Sequence, residues 1–114
     1  MLARKYRLAK RGDFKRIFKK GEKGKSRFFN ICFLKNDLPN CRFAIVASLK
    51  ISKKSTKRNY LKRQVREILY LNLFNFKQNY DVIVNILPTA FGQKYSRLSD
   101  DLLTLFKKTN LISK

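Results

Sequence analysis

The stretch KKSTKRNYLKRQVRE, residues 53–67, sets Lys53, Lys54, Lys57, Arg58, Lys62, Arg63 and Arg66 ahead of its only acid, Glu67. Cations at that density bind phosphate. The planar guanidinium of arginine matches a phosphate with two parallel hydrogen bonds, and Asn59 can hydrogen-bond a base or a sugar. Lys50, Lys53 and Lys54 precede an expected helix start, where backbone N–H groups and the positive dipole end attract the same anion.

The inventory for catalysis is poor. With no histidine in the chain, neither a Ser-His nor a Cys-His pair can form. The acids Asp13, Glu22, Asp37, Glu67, Asp81, Asp100 and Asp101 are scattered, and only the last two are neighbours. A carboxylate metal cage needs several to converge. Cys32 and Cys41 are too few for a disulfide framework or, without histidine, a zinc site. They read as small buried hydrophobes. No catalytic residue and no metal ligand is assigned.

The charge balance agrees with a polyanion partner. Against 28 Lys and Arg stand 7 Asp and Glu, a net charge of +21. Such self-repulsion makes most sense if a polyanion neutralises it, with nucleic acid ahead of an anionic membrane surface. The basic start MLARKYRLAKRGDF has no apolar segment of signal-peptide length, and no stretch is long enough to span a bilayer, so a cytoplasmic protein is expected. One RNA-binding domain over 1–114 is expected from the length, and the 44% hydrophobic share suffices for one modest core.

These cations need elements to hold them. GDFKRIFKKG (12–21) spaces Phe14, Ile17 and Phe18 for an amphipathic helix, with Asp13 at its start and Gly21 after its end. SRFFNICFL (26–34) and CRFAIVASL (41–49) read as strands joined by the turn NDLPN, and so as an antiparallel hairpin. A short extended piece at 23–25 adds an edge strand. The long helix runs from near Thr56 to about Phe74. YDVIVNILP (80–88) is a continuous apolar run stopped by Pro88, which reads as a buried strand. SRLSDDLLTLFKK (96–108) closes as a helix with Leu98, Leu102, Leu105 and Phe106 as its stripe. Ser96 or Ser99 is expected to cap it, with Asp100 and Asp101 at its positive end and Lys107 and Lys108 at its negative end. The fold class is α+β, in the order α-β-β-β-α-β-α, with helices packed against one small sheet.

At 100° per residue, Leu61, Val65, Ile68 and Leu69 share the stripe that must face the sheet. Arg58, Lys62 and Arg66 flank it as a sheet-side row, whereas Asn59, Tyr60 and Arg63 project outward. The pairs Arg58–Lys62 and Lys62–Arg66 repel at i, i+4, costing about 0.2–0.5 kcal/mol each. A merely solvated face would mix signs. A membrane-surface helix is disfavoured because its apolar face is needed on the sheet.

Arg58-Asn59, Lys62-Arg63 and Arg66-Glu67, within KRNYLKRQVRE, resemble the signature of the protein subunit of bacterial ribonuclease P. GDFKRIFKKG resembles that family's first helix, and FAIVASLKIS the strand leading to its Ser-Lys-Lys segment. Tyr60 stands where the family often has the basic residue that is third in an Arg-Asn-Arg motif, and Cys32 where it often has an aromatic. SKKST replaces a segment usually carrying Gly and small apolar residues.

The resemblance implies a two-layer sandwich with a left-handed βαβ crossover, like ribosomal and translation-factor domains. It implies an endonuclease whose catalytic subunit is RNA, which removes the 5′ leader of precursor tRNA, with Mg2+ bound by the RNA and substrate rather than by a protein cage. Precursor tRNA and the catalytic RNA subunit are the implied partners, with no obligate protein partner and no membrane. By position, Phe14, Phe18, Lys62 and Arg66 resemble the leader-contacting set, aromatics stacking on bases while cations track phosphates. Phe14 and Phe18 equally fit a core role beside Ile17. Lys50, Lys53, Lys54, Arg58, Asn59, Tyr60 and Arg63 fall to the catalytic-RNA side. A non-catalytic RNA-binding protein of ribosomal or chaperone type is the alternative.

Overall fold

The structure is a computed structural model that describes residues 3–8 and 10–112; Met1, Leu2, Ala9, Ser113 and Lys114 of the expected 1–114 domain lie outside the described residues. In chain order the elements are α1 (Arg11–Lys20), β1 (Glu22–Lys25), β2 (Phe29–Lys35), β3 (Arg42–Ala47), α2 (Ser55–Leu71), β4 (Tyr80–Ile86) and α3 (Tyr95–Lys108). The four strands make one sheet in the order β1-β2-β4-β3. β4 pairs antiparallel with β2 and parallel with β3, so β3, α2 and β4 form a crossover unit.

The expected hairpin of the second and third strands is therefore corrected: β4 lies between them. Its run Val82, Ile83 and Val84 is buried on both faces, Val82 and Val84 in the main core and Ile83 in the cluster opposite, as suits an interior strand with helices over both faces. A charged residue reinforces this placement. Asp81, wholly buried at the start of β4, accepts hydrogen bonds from Asn36, just after β2, and from Arg42, which opens β3. The turn between β2 and β3 thus straddles the end of β4 rather than folding the two strands onto each other.

Strand alternation gives the sheet two faces. Phe29, Ile31 and Phe33 of β2 and Val82, Val84 and Ile86 of β4 pack in the main core with Leu61, Val65, Ile68 and Leu69 of α2 and Leu98, Leu102, Leu105 and Phe106 of α3. Both apolar stripes expected from periodicity are buried as read. The opposite face carries Cys32, Ala44 and Ile83 in a smaller cluster with Leu8 and with Ile17 of α1. The sheet and α2/α3 form two layers, and α1 covers one end of the remaining face.

The ends of the helices follow different rules from those expected. α3 begins at Tyr95 after Lys94, with no side-chain cap and no acid in its first turn, so Ser96 and Ser99 lie inside the helix. Asp101 instead accepts hydrogen bonds from the Ser26 hydroxyl (2.6 Å) and the Phe28 N–H (3.0 Å), tying α3 to the turn before β2. Lys107 and Lys108 do occupy the last turn. α2 stops at Leu71, earlier than expected, where the Asn72 side chain donates to the Ile68 carbonyl at 2.8 Å. Gly21 ends α1 at φ −77°, an ordinary value. Its requirement is space: a Cβ there would lie 2.5 Å from the Ile17 carbonyl oxygen and 2.7 Å from that of Phe33.

Candidate nucleic-acid interface

The odd-numbered residues of β4 run along the α1 face and divide it. Asp81 anchors one end, Ile83 packs under α1, and Asn85 lies beyond the helix on the part it leaves open. Asn85 is the cross-strand partner of Asn30 on β2. Together they help floor a trough of about 650 Å³, with Val46 and Ser48 from the β3 side, Phe18 from α1, and Lys23 and Lys25 from β1. A second recess of about 270 Å³ adjoins it through Val46 and is bordered by Phe14, Lys62, Arg66 and Arg7.

The leader set inferred from the sequence is thus brought to one face of the sheet. Phe14 is half-buried against Leu8, Ile17 and Cys32, and it also walls the recess holding Lys62 and Arg66. Phe18 is 53% exposed and belongs to the trough, not the core. The gap between α1 and α2 presents aromatic carbon on one side and cations on the other.

Sequence reasoning missed the opposite wall, Lys23 and Lys25, and the amide floor, Asn30 and Asn85. The signal was available. Asn30 interrupts FFNICF and Asn85 interrupts VIVNIL, single polar residues in strands otherwise apolar on both sides. The side-chain oxygen of Asn30 is buried and without a hydrogen-bond partner, an acceptor left for something else to satisfy.

The other cations lie apart from the trough. Lys50, Lys53 and Lys54 are exposed on the segment before α2, and no side chain caps that helix, so its first-turn amides lack side-chain partners. Serines shape the segment: Ser48 Oγ accepts from the Lys50 N–H and Ser52 Oγ from the Lys54 N–H. Arg58 is partly committed, donating to the Ser52 carbonyl at 2.7 Å and so bracing the segment against the helix. Asn59, Tyr60 and Arg63 are exposed along the outer face of α2. The division into a sheet-side row and an outward row therefore holds.

Electrostatics separates these cations from structural ones. Among the described residues every ion pair joins Arg16 or Arg42 to Asp13 or Asp81. Among the described residues no carboxylate pairs with Lys62, Arg63 or Arg66. Their charge is free for an external anion, and Lys62 and Arg66 share their recess with the ring of Phe14. No group of three His, Cys, Asp or Glu among the described residues could hold a metal ion. No described helix is long and apolar enough to cross a membrane.

Comparison with known proteins gives a consistent result. The family described as Ribonuclease P matches residues 2–110. The ribonuclease P protein component of Fusobacterium nucleatum is 36% identical over 110 residues, 92% of this chain and 97% of that protein. That of Thermotoga petrophila is 41% identical over 109 residues, covering 92% of each. Among solved structures, the RNase P protein of Staphylococcus aureus superposes with a TM-score of 0.87 at 27% identity, over 95% of this chain and 98% of that one. The Thermotoga maritima protein gives 0.81 at 34% identity, over 90% and 96%.

Proposed function

Because the chain belongs to the ribonuclease P protein family, we propose that it holds the single-stranded 5′ leader of precursor tRNA in the trough beside α1 while the outward face of α2 docks on the catalytic RNA. Members of this family are the protein subunit of the tRNA-processing ribonucleoprotein endonuclease, and the RNA subunit is the partner that membership implies. The finer division of labour rests on the geometry of the trough. The observation that carries it is the convergence of Phe14, Lys62 and Arg66 on one recess, continuous with the trough of Phe18 and without carboxylate partners.

Each part contributes a sequence-tolerant contact. Phe18 and Phe14 offer ring faces on which unpaired bases stack, and Lys62 and Arg66 neutralise the phosphates between them. Lys50, Lys53, Lys54, Arg58, Asn59, Tyr60 and Arg63 would meet the catalytic RNA. The reaction adds water across a phosphodiester, releasing the leader with its 3′-hydroxyl and leaving a 5′-phosphate on the tRNA.

The chain's own acids do not suit a magnesium cage. Asp13 and Asp81 are held by arginines, and Asp101 by Ser26 and the Phe28 amide. Magnesium would therefore sit on RNA and substrate phosphates, and the protein would favour its binding by fixing the leader. The 1–114 chain would work as one RNA-binding domain in the cytoplasm, where the precursors are. Binding of precursor and mature tRNA to the reconstituted complex tests the proposal: the protein should favour the precursor, and equal gains for both would reject the trough assignment.

A further inference from the structure

The outward face of α2 does not end with the cationic motif. At 100° per residue, Tyr70 lies within about 20° of Arg63 and about 10 Å further along the axis. Tyr60 is 58% exposed, Tyr70 47%, Leu71 61%, and Phe74, just past the helix end, 91%. None of these side chains is needed in the core. Phe74 also rims a recess of about 390 Å³ with Lys5, Tyr6 and Asn79, where the Lys5 ammonium lies 5.1 Å from the centre of the Tyr6 ring.

Exposed aromatic carbon of this extent along the outer side of α2 and the turn that follows it marks an interaction surface. Its setting selects the occupant. A second copy would bring +21 against +21, and repulsion of that size opposes an apolar self-contact. Unpaired nucleobases fit instead, since they stack on aromatic faces while flanking cations take their phosphates. The surface lies on the same side of α2 as Asn59, Tyr60 and Arg63, the face already assigned to the catalytic RNA, with the exposed Glu67 as the one acid between Arg63 and Tyr70.

We infer that Tyr70 and Phe74 extend the RNA-docking face of α2 by stacking on unpaired bases of the partner RNA, with Tyr60 as the first aromatic of the same series. This rests on the proposal that the outward face of α2 meets that RNA. It gives Tyr60 a role that a basic residue at the position would not have: a stacking surface between Asn59 and Arg63 rather than one more phosphate contact.

The chain contains no tryptophan, so Phe74→Trp places a sole indole emitter at an exposed position. Its fluorescence should be quenched as the full-length protein is titrated with its cognate RNA. Tyr70→Ala and Phe74→Ala should each weaken the complex by about fivefold or more without loss of folding, given the worth of one stacked base. Tyr70→Phe should retain affinity. Unquenched emission at saturating RNA, or wild-type affinity for the Tyr70→Ala, Phe74→Ala double variant, overturns the inference. So does a concentration-dependent dimer that the double variant abolishes, because the surface would then belong to a second copy. Arg63→Ala and Asn59→Ala separate the two levels. If they weaken the complex and the aromatic variants do not, the aromatic extension alone fails; if none of them weakens it, the docking face itself is wrong.

Discussion

Arg42 and Asp81 face each other across the β3–β4 ladder and are joined by two charge-assisted hydrogen bonds, Nε to Oδ1 at 2.9 Å and Nη2 to Oδ2 at 2.7 Å. Arg16 of α1 adds a third contact to Oδ2 at 2.8 Å, and Asn36 a fourth to Oδ1 at 2.8 Å. One buried carboxylate therefore fixes β3, the turn after β2, and α1, the helix whose position defines the trough. Its loss leaves the half-buried Arg42 without its main acceptor. Asp81→Asn should cost about 3–5 kcal/mol of folding stability, the range for breaking one side of a buried ion pair. Urea unfolding reads this directly, and a change below about 1 kcal/mol would show that the clamp is dispensable.

The same carboxyl sets an acid limit. Burial alone would raise the Asp81 pKa, but hydrogen bonds from Arg42, Asn36 and Arg16, with the charge of Arg42, hold it below the ordinary carboxylate value. A depressed pKa in the folded state means that the unfolded chain binds the proton more readily, so unfolding free energy rises with pH in that range. The Asp81 contribution is complete above the unfolded value of about 3.9 and is lost as pH falls through the lower folded value. Stability of the wild type should fall on acidification below about pH 4, and Asp81→Asn should lack that component. Parallel pH profiles for the two proteins would contradict the assignment.

Burial also governs the two thiols. Desolvation raises the pKa of Cys32, against a smaller opposing effect of Lys23, and it raises that of Cys41 despite a hydrogen bond from the Tyr80 amide. Since the thiolate is the reactive form, both should react slowly with a disulfide reagent in the folded protein and rapidly in denaturant. Fast labelling of either in the native state would show that its site opens.

The helices were legible in the sequence because each has one apolar stripe at helical spacing. Leu61, Val65, Ile68 and Leu69 could face only the sheet, and that fixed where Lys62, Arg63 and Arg66 point. Strand order was not legible. Two apolar strands joined by a short turn ordinarily pair, and the insertion of β4 between them depends on Asp81, Asn36 and Arg42 meeting over a distance that no local pattern records. The trough was half legible for the same reason. Its α1 and α2 walls lie in motifs, whereas Lys23 and Lys25 join it only because β1 is the edge strand; the cap expected for α3 at Ser96 or Ser99 failed because the helix already begins at Tyr95.

Charge should dominate affinity. Each phosphate neutralised contributes roughly −0.7 on a single strand to the slope of log affinity against log salt. Binding of the leader should weaken steeply with salt, and Lys62→Ala with Arg66→Ala should flatten the slope by about 1.4. An affinity unchanged between low and high salt would refute the electrostatic account.

If the leader lies in the trough, those two side chains should also discriminate precursor from product. A charge-assisted contact of about 1.5 kcal/mol corresponds to roughly tenfold in affinity. Each alanine substitution should therefore weaken precursor tRNA by up to about that factor while leaving mature tRNA little changed.

This chain should assist an RNA catalyst rather than cleave by itself. The most direct test is precursor-tRNA processing at limiting magnesium, measured with the protein alone, the cognate RNA alone, and both together. The account predicts no cleavage by the protein, slow cleavage by the RNA, and a large stimulation when they are combined, with a correct mature 5′ end. Cleavage by the protein alone, or no stimulation of the RNA at any magnesium concentration, would contradict it.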